Sequence, residues 1–303
     1  MFVSLAFFLA AQQISIPLGK PPPRVEPPRA PIEVSGPLWA DACKDSDDWD
    51  KPAPPVRIHA NTYLVGTCGI SSILIVGDKG DILIDGGPEE AADPIAANIR
   101  ELGYSPRDIR IIVNSHEHLD HVGGIARLQQ LSGAQVYASA AAAPVLRSGS
   151  PSADDPQAGI LKPFPPVRVD HIVQEGEMVR LGNLALFPVA TPGHTAGALT
   201  WHWGACDGGI CRQIVYADSL TPVSRDGYRF SDHPQLVANF RKSIAKVAAL
   251  DCDILLTPHP AASNMPKRLL GTAPIFDPNA CRSYAASLTQ RLDERLAREK
   301  TGK

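Results

Sequence analysis

His116, His118, Asp120 and His121 stand within six residues of one another, spaced H-x-H-x-D-H. Three imidazoles and a carboxylate so close together suit borderline divalent metals, zinc above all. One zinc ion rarely takes four ligands from so short a segment, so the spacing points to two ions sharing it. A solvated loop position is a reasonable reading for any single histidine here, but not for the whole constellation. A metal with an open coordination position activates water, and hydrolysis is the chemistry such a cluster suggests.

The apolar run Ile109-Arg110-Ile111-Ile112-Val113 reads as a strand that delivers His116 and His118 to one side, because side chains alternate with period two. Asp120 and His121 then fall on the turn into a helix expected over residues 122–131. Two later histidines occur in similar settings. His194 follows a strand-like run at 185–189 and the turn Thr191-Pro192-Gly193, and His259 follows a run at 253–256 and Thr257-Pro258. Both can converge on one sheet edge, giving five histidines and one aspartate, enough for two three-ligand sites with open positions. His59 and His171 (near strand starts), His202 (between two tryptophans) and His233 (at a helix start) have no supporting motif and read as packing, capping or surface residues.

Further strands are expected at 62–65, 71–76, 81–84, 135–137, 199–203 and 213–216. Helices are expected at 93–102, where Asp93-Pro94 supplies a start signal, and at 140–146, 234–250 and 279–299. A loop rich in Ser, Pro, Asp and Gly runs over 148–166. Helices between and after β-rich blocks predict an α/β (α+β) fold whose sheets are covered on their outer faces. With 303 residues, 44% of them hydrophobic, the chain can bury a large core. A net charge of -3 and a pI near 6.3 leave no basic face for a nucleic-acid backbone, so no nucleic-acid partner is expected.

The apolar stretch from Phe2 to Ala11 has the length of an export signal core and is too short to span a bilayer, although no Lys or Arg precedes it. The expected organisation is a signal peptide at 1–16, a proline-rich leader of polyproline character at 17–40, and one catalytic domain at 41–303. Cys43, Cys68, Cys206, Cys211, Cys252 and Cys281 suit an exported protein with three bridges, for which sequence alone permits fifteen pairings. Cys206 and Cys211 flank the tight turn Asp207-Gly208-Gly209-Ile210, so theirs is the easiest pairing to defend.

The order His116-x-His118-x-Asp120-His121, His194, His259 resembles the metallo-β-lactamase superfamily, and more narrowly class B β-lactamases of subclass 3. The likeness runs from about Cys43 to the final helix and includes Val65-Gly66-Thr67-Cys68-Gly69-Ile70, Thr191-Pro192-Gly193-His194-Thr195 and Tyr216-Ala217-Asp218-Ser219-Leu220-Thr221. The subclass likeness rests on His116 opening the motif, on Ser219 where subclass 1 relatives carry a cysteine ligand, and on the cysteine placement.

This resemblance implies a four-layer αββα sandwich with its metals at one sheet edge, and bridges Cys43–Cys68, Cys206–Cys211 and Cys252–Cys281. It implies two zinc ions per subunit, one on His116, His118 and His194, the other on Asp120, His121 and His259. The implied activity is hydrolysis of the β-lactam ring of penicillins, cephalosporins and carbapenems by a hydroxide bridging the metals, with Asp120 orienting that nucleophile. Antibiotic resistance would follow. Ser219 and Thr221 stand where similar enzymes contact the substrate carboxylate, Gln157 could lean over the site, and Trp49 could line the cleft mouth. The expected protein is a periplasmic monomer with no stable membrane association after signal removal and a small-molecule β-lactam as its partner. The alternative is a lactonase or glyoxalase II-like thioesterase, whose relatives use an aspartate beside Asp218 to bridge two metals. Asp218 itself is expected to support the site rather than ligate. A non-catalytic relative would be expected to break at least one of the six ligand positions, and all six are present.

Overall fold

Alternation along the strands sorts the apolar residues of this chain into separate layers. The computed structural model describes residues 32–301, with side chains from residue 36. One sheet follows chain order: β1 (Val56–His59), β2 (Thr62–Leu64), β3 (Ile73–Gly77), β4 (Gly80–Ile84), β5 (Ile109–Val113), β6 (Gln135–Ser139) and β7 (His171–Val173). The other holds β8 (Val179–Leu181), β9 (Leu184–Ala190), β10 (Leu199–Asp207), β11 (Ile210–Tyr216) and β12 (Ile254–Leu256), in the order β12-β11-β10-β9-β8. Helix α1 (Ile32–Cys43) precedes the sheets. Helices α2 (Ala92–Glu101), α3 (Leu119–Val122), α4 (Ile125–Ser132) and α5 (Ala142–Ser148) lie between strands of the first sheet. Helix α6 (Pro234–Ala249) joins β11 to β12, and α7 (Met265–Leu269) and α8 (Ala280–Thr301) follow.

Ile73, Ile75, Ile82, Ile84, Ile111 and Val113 share one buried cluster with Trp201, Trp203, Ile214, Tyr216, Ile254 and Leu256, so these side chains meet between the two sheets. Their neighbours Leu74, Leu83 and Ile112 point the other way, onto Ile95 and Ile99 of α2 and Leu128 of α4. In the second sheet Val215 and Leu255 likewise turn outward, onto Phe240 and Val247 of α6 and Leu288 of α8. Burying each of these large aliphatic side chains contributes roughly 1.5–3 kcal/mol. Three apolar layers require four layers of backbone, and the result is the expected αββα sandwich.

β4, β5, β6 and β7 pair in parallel, as do β11 and β12, with helices as crossovers. β9 runs antiparallel to β10, and β10 antiparallel to β11, so β9 points the same way as β11. The carboxyl ends of β4, β5, β9, β11 and β12 therefore gather at one edge. The Leu199 N–H donates to the Ser115 carbonyl at 2.7 Å, tying the two sheets together there.

Some elements differ from expectation. The helix expected over 122–131 is two, α3 and α4, interrupted at Gly123-Gly124. A Cβ on Gly124 would stand 2.3 Å from the Gly86 carbonyl oxygen, and one on Gly123 2.8 Å from the Glu89 nitrogen. Only glycine lets the chain pass so close to the turn after β4, which seats α3 beside it. No run was marked as a strand at β1, β7 or β8, although His59 and His171 read as near strand starts: three or four residues carry too little periodicity to bound a strand.

The signal peptide (1–16) and the first part of the expected leader lie outside the described residues. Its last part needs correction: Ile32–Cys43 is helical, with Pro37 inside the helix and Trp39 and Ala40 buried in the core between the sheets. Proline's missing N–H costs one helical bond, and the burial of Trp39 together with the Cys43–Cys68 bridge outweighs it. All three disulfides implied by the resemblance are present: Cys43–Cys68, Cys206–Cys211 across the β10–β11 hairpin, and Cys252–Cys281 between the start of β12 and α8. No helix among the described residues is long and apolar enough to cross a membrane.

Candidate metal centre

Where β5 ends, the backbone is held before any histidine is placed. Asp85, in a left-handed conformation (φ 62°) after β4, accepts from the Ser115 N–H at 2.6 Å and the Ser115 hydroxyl at 2.7 Å. The Tyr216 hydroxyl from β11 donates to the same carboxylate at 2.8 Å, and Trp201 Nε1 donates to the Asn114 carbonyl at 2.9 Å. Residues 114–121 thus leave the strand on a scaffold drawn from both sheets.

His116, His118 and His194 form a triangle with ring centroids 4.8–5.0 Å apart. Each ring has one nitrogen occupied on its outer side. His116 Nδ1 donates to Asp218 Oδ1 at 2.8 Å, His118 Nε2 to Asp155 Oδ2 at 2.8 Å, and His194 Nδ1 to the Thr221 carbonyl at 2.9 Å. A neutral imidazole has one donor and one acceptor nitrogen. These bonds leave the lone pairs on His116 Nε2, His118 Nδ1 and His194 Nε2. Outer nitrogens fixed by carboxylates or carbonyls are the usual support of metal-ligating histidines. One donor atom from each of the three residues lies within 4.8 Å of the others, as holds also for His116, Asp120 and His121.

The second group is unsatisfied in a telling way. His121 Nε2 lies 3.0 Å from Asp120 Oδ2 and Nδ1 lies 3.6 Å from Asp85 Oδ2, yet neither contact has hydrogen-bond geometry and both ring nitrogens are fully buried. Close approach of an acceptor nitrogen and a carboxylate oxygen, not aimed at each other, is what two ligands of one cation require. His259 stands further out: its Nε2 is 3.5 Å from Asp120 Oδ2, its ring 5.1 Å from that of His121, and its side chain is half-buried. The donor set is thus chemically suited to divalent metal.

The electrostatics agree. Burial, then the neighbouring His118 and His116, push His194 down to about 3, and burial with His121 pushes His259 down to about 4. Both are neutral near pH 7, the form that binds metal. Burial would also lower His121, but Asp120 and Asp85 overcome it and raise it to about 10. Burial raises Asp218.

Of the other residues singled out from the sequence, Ser219 is buried beside the cluster with an unpartnered hydroxyl. Thr221 faces His194 through its carbonyl, with its hydroxyl 3.5 Å from the same Nδ1. Gln157, half-buried, donates its N–H to Asp155 Oδ1 at 2.7 Å. Trp49 is exposed, its ring 6.1 Å from that of His259. The unassigned histidines lie elsewhere: His202 stacks on Phe187, His233 on Tyr228, His59 packs edge-on against Phe276, and His171 pairs with Glu177.

Two supporting residues escaped the sequence reading. Glu117, buried between two of the histidines, accepts from Thr195 Oγ1 at 2.7 Å and Gly197 N–H at 2.9 Å, locking the two histidine loops together. Its position inside H-x-H was the available signal. Asp155 had none, since its partner is 37 residues away in the chain.

Comparison with known proteins bears on this arrangement. A model of the metallo-beta-lactamase superfamily matches residues 65–259. The metallo-β-lactamase MIM-1 from Novosphingobium pentaromativorans is 50% identical, with a TM-score of 0.85 over 88% of this chain and 98% of that one. MEM-A1, a subclass B3 metallo-β-lactamase isolated from a soil metagenome library, is 46% identical, with a TM-score of 0.81 over 84% of this chain and 100% of that one. The hydroxyacylglutathione hydrolase of Mesorhizobium japonicum is 31% identical over 139 residues, 46% of this chain and 45% of that protein. The chain spans about half the length of the curated relatives it matches, and nearly all of the solved structures it matches. Both the matched sequence and the shared architecture contain the whole histidine cluster, and on these grounds the chain belongs to the metallo-β-lactamase superfamily, with subclass B3 enzymes as its structural neighbours.

Proposed function

We propose that the protein is a zinc-dependent β-lactamase that opens the β-lactam ring of penicillins, cephalosporins and carbapenems. His116, His118 and His194 would hold one zinc ion, and Asp120, His121 and His259 a second. Zinc in such sites supplies Lewis acidity, acidifying water and neutralising negative charge that develops on the substrate. The chain's own residues do the rest. Asp218, Asp155 and the Thr221 carbonyl fix which nitrogen each histidine presents. Asp120 offers a carboxylate beside the reacting groups and orients the nucleophile. The Ser219 hydroxyl, buried and unpartnered, is available to the substrate carboxylate with Thr221 beside it. Gln157 would lean over the site, and Trp49, its ring 6.1 Å from that of His259, would line the cleft mouth.

The single observation that carries this reading is the placement of Asp218. Its Oδ1 engages the outer nitrogen of His116, and it belongs to neither group of candidate ligand atoms. A metal-bridging aspartate, as in the thioesterase and lactonase alternative, would be expected to stand within one of those groups. That alternative draws support from the hydroxyacylglutathione hydrolases at about 30% identity over half their length. The subclass B3 neighbours, at 46–50% identity over nearly their whole length, favour the β-lactamase.

The reading includes export to the periplasm with removal of residues 1–16, and a monomer without stable membrane association. Three disulfides support an oxidising compartment. The test is hydrolysis of meropenem, a cephalosporin, an acyl-homoserine lactone and S-lactoylglutathione, each with and without chelator. We expect turnover of the β-lactams, its loss on chelation and its return with zinc. Turnover of the lactone or thioester alone would replace this reading with the alternative.

A further inference from the structure

The loop at 148–166 reaches the metal centre through one side chain. Asp155 is buried, its carboxylate only 6% exposed, and it uses both oxygens: Oδ2 accepts from His118 Nε2 at 2.8 Å and Oδ1 from the Gln157 N–H at 2.7 Å. The same turn is fastened to the segment after Thr221. The Arg225 N–H donates to the Pro156 carbonyl at 2.9 Å, and the Arg225 guanidinium to the Asp155 carbonyl at 3.4 Å. Thr221, in that second segment, holds the outer nitrogen of His194. Two of the three clustered histidines are therefore oriented by the two loops that would also face a substrate.

We propose that Asp155 is a positioning residue that couples the order of the 148–166 loop to metal binding, by holding His118 as the Nε2–H tautomer with Nδ1 as its ligand atom. The proposal rests on the zinc part of the reading above and not on the identity of the substrate. Coupling of this kind is reciprocal: if the ordered loop improves zinc affinity, zinc must order the loop by the same factor. Asparagine cannot replace the carboxylate. Either way round, its NH2 group meets one of two donors, the His118 Nε2–H or the Gln157 N–H.

The test compares wild type with Asp155→Asn. Zinc affinity, by competition with a chromophoric chelator, is expected to fall about 10- to 100-fold at one of two ions, the usual cost of removing such a supporting partner. Hydrogen exchange across residues 150–162 should slow on zinc addition in wild type and lose that response in the variant. Long-range 15N–1H spectra of metal-free wild type should show His118 protonated at Nε2. Equal zinc affinity in the two proteins, or a wild-type His118 protonated at Nδ1, overturns the proposal, and the second result decides even if the variant does not fold. A wild-type protein that binds zinc yet spares every β-lactam would remove the substrate assignment and leave Asp155's role standing.

Discussion

The two ends of this sandwich treat buried polar groups differently. At the edge formed by the carboxyl ends of β5, β9, β11 and β12, His121, Asp218 and Ser219 each keep at least one buried atom with no hydrogen-bond partner. At the opposite edge, where the β10–β11 hairpin turns, a cavity of about 620 Å³ opens between the sheets. Its polar lining is paired internally: Arg57 with Asp207 at 2.7 Å, the Tyr63 and Tyr104 hydroxyls at 3.1 Å, and Asp78 with Asn183 through reciprocal backbone bonds. A void shaped by paired groups gives a ligand nothing to complete. Unmet buried polar atoms cost stability; at the metal edge they belong to the clustered residues themselves, whereas those elsewhere, such as Arg212 Nε near the hairpin and His59 Nε2, stand apart from any group of candidate ligands.

The largest expected effect comes from striking the metal edge. His194→Ala should reduce β-lactam kcat/KM by on the order of 10³-fold, equivalent to about 4 kcal/mol, in steady-state assays with zinc present. Retention of more than a tenth of wild-type activity would break the comparison. The disulfides sharpen it by their span. Loop-closure entropy assigns about 3.6 kcal/mol to Cys252–Cys281, whose partners are separated by 29 positions in sequence, and about 2 kcal/mol to Cys206–Cys211, separated by 5. Urea titration of the paired Cys→Ser variants should show the first loss to be the greater, and equal losses would count against it.

A third buried polar site, in the second helical layer, shows what full satisfaction looks like. Glu299 accepts from the Phe230 and Ser231 N–H groups and from Arg295 Nε. Burial opposes its ionisation, but these donors win and hold its carboxyl down at about 2. Such a depressed group stabilises the fold fully above its unfolded pKa of about 4.3, and that contribution is lost as pH falls toward 2. Glu299→Gln should cost about 1.5–3 kcal/mol at pH 7 and flatten the pH dependence of the urea midpoint between about 5 and 2. Unchanged acid sensitivity would show that other carboxylates govern it. The smallest effect belongs to the cavity edge. Arg57→Ala should cost at most about 1 kcal/mol, as a partly exposed ion pair, and leave kcat/KM unaltered. A tenfold loss of activity there would tie the two edges together.

Much of this was legible beforehand. The ligand candidates were named because H-x-H-x-D-H and the two Thr-Pro turns are short patterns, the covered sheets because helices fall between and after β-rich blocks, and the four layers because the family resemblance implied them. Helix α1 was missed because a proline-rich approach masks an amphipathic pattern, and the break between α3 and α4 because a Gly-Gly pair discloses no neighbour.

The amino-acid sequence alone determined the metal-binding vocabulary, the order of the elements that carry it and the cysteines available for bridging. All of these depend on local spacing. Only the tertiary structure decided which nitrogen each histidine presents, because its partner lies 102 residues away for His116, 37 for His118 and 27 for His194. It also decided that Asp218 Oδ1 meets His116 Nδ1 across 102 residues of chain. A hydrogen bond acts over about 3 Å of space, and no pattern along the chain records which distant acceptor folding will bring within that reach.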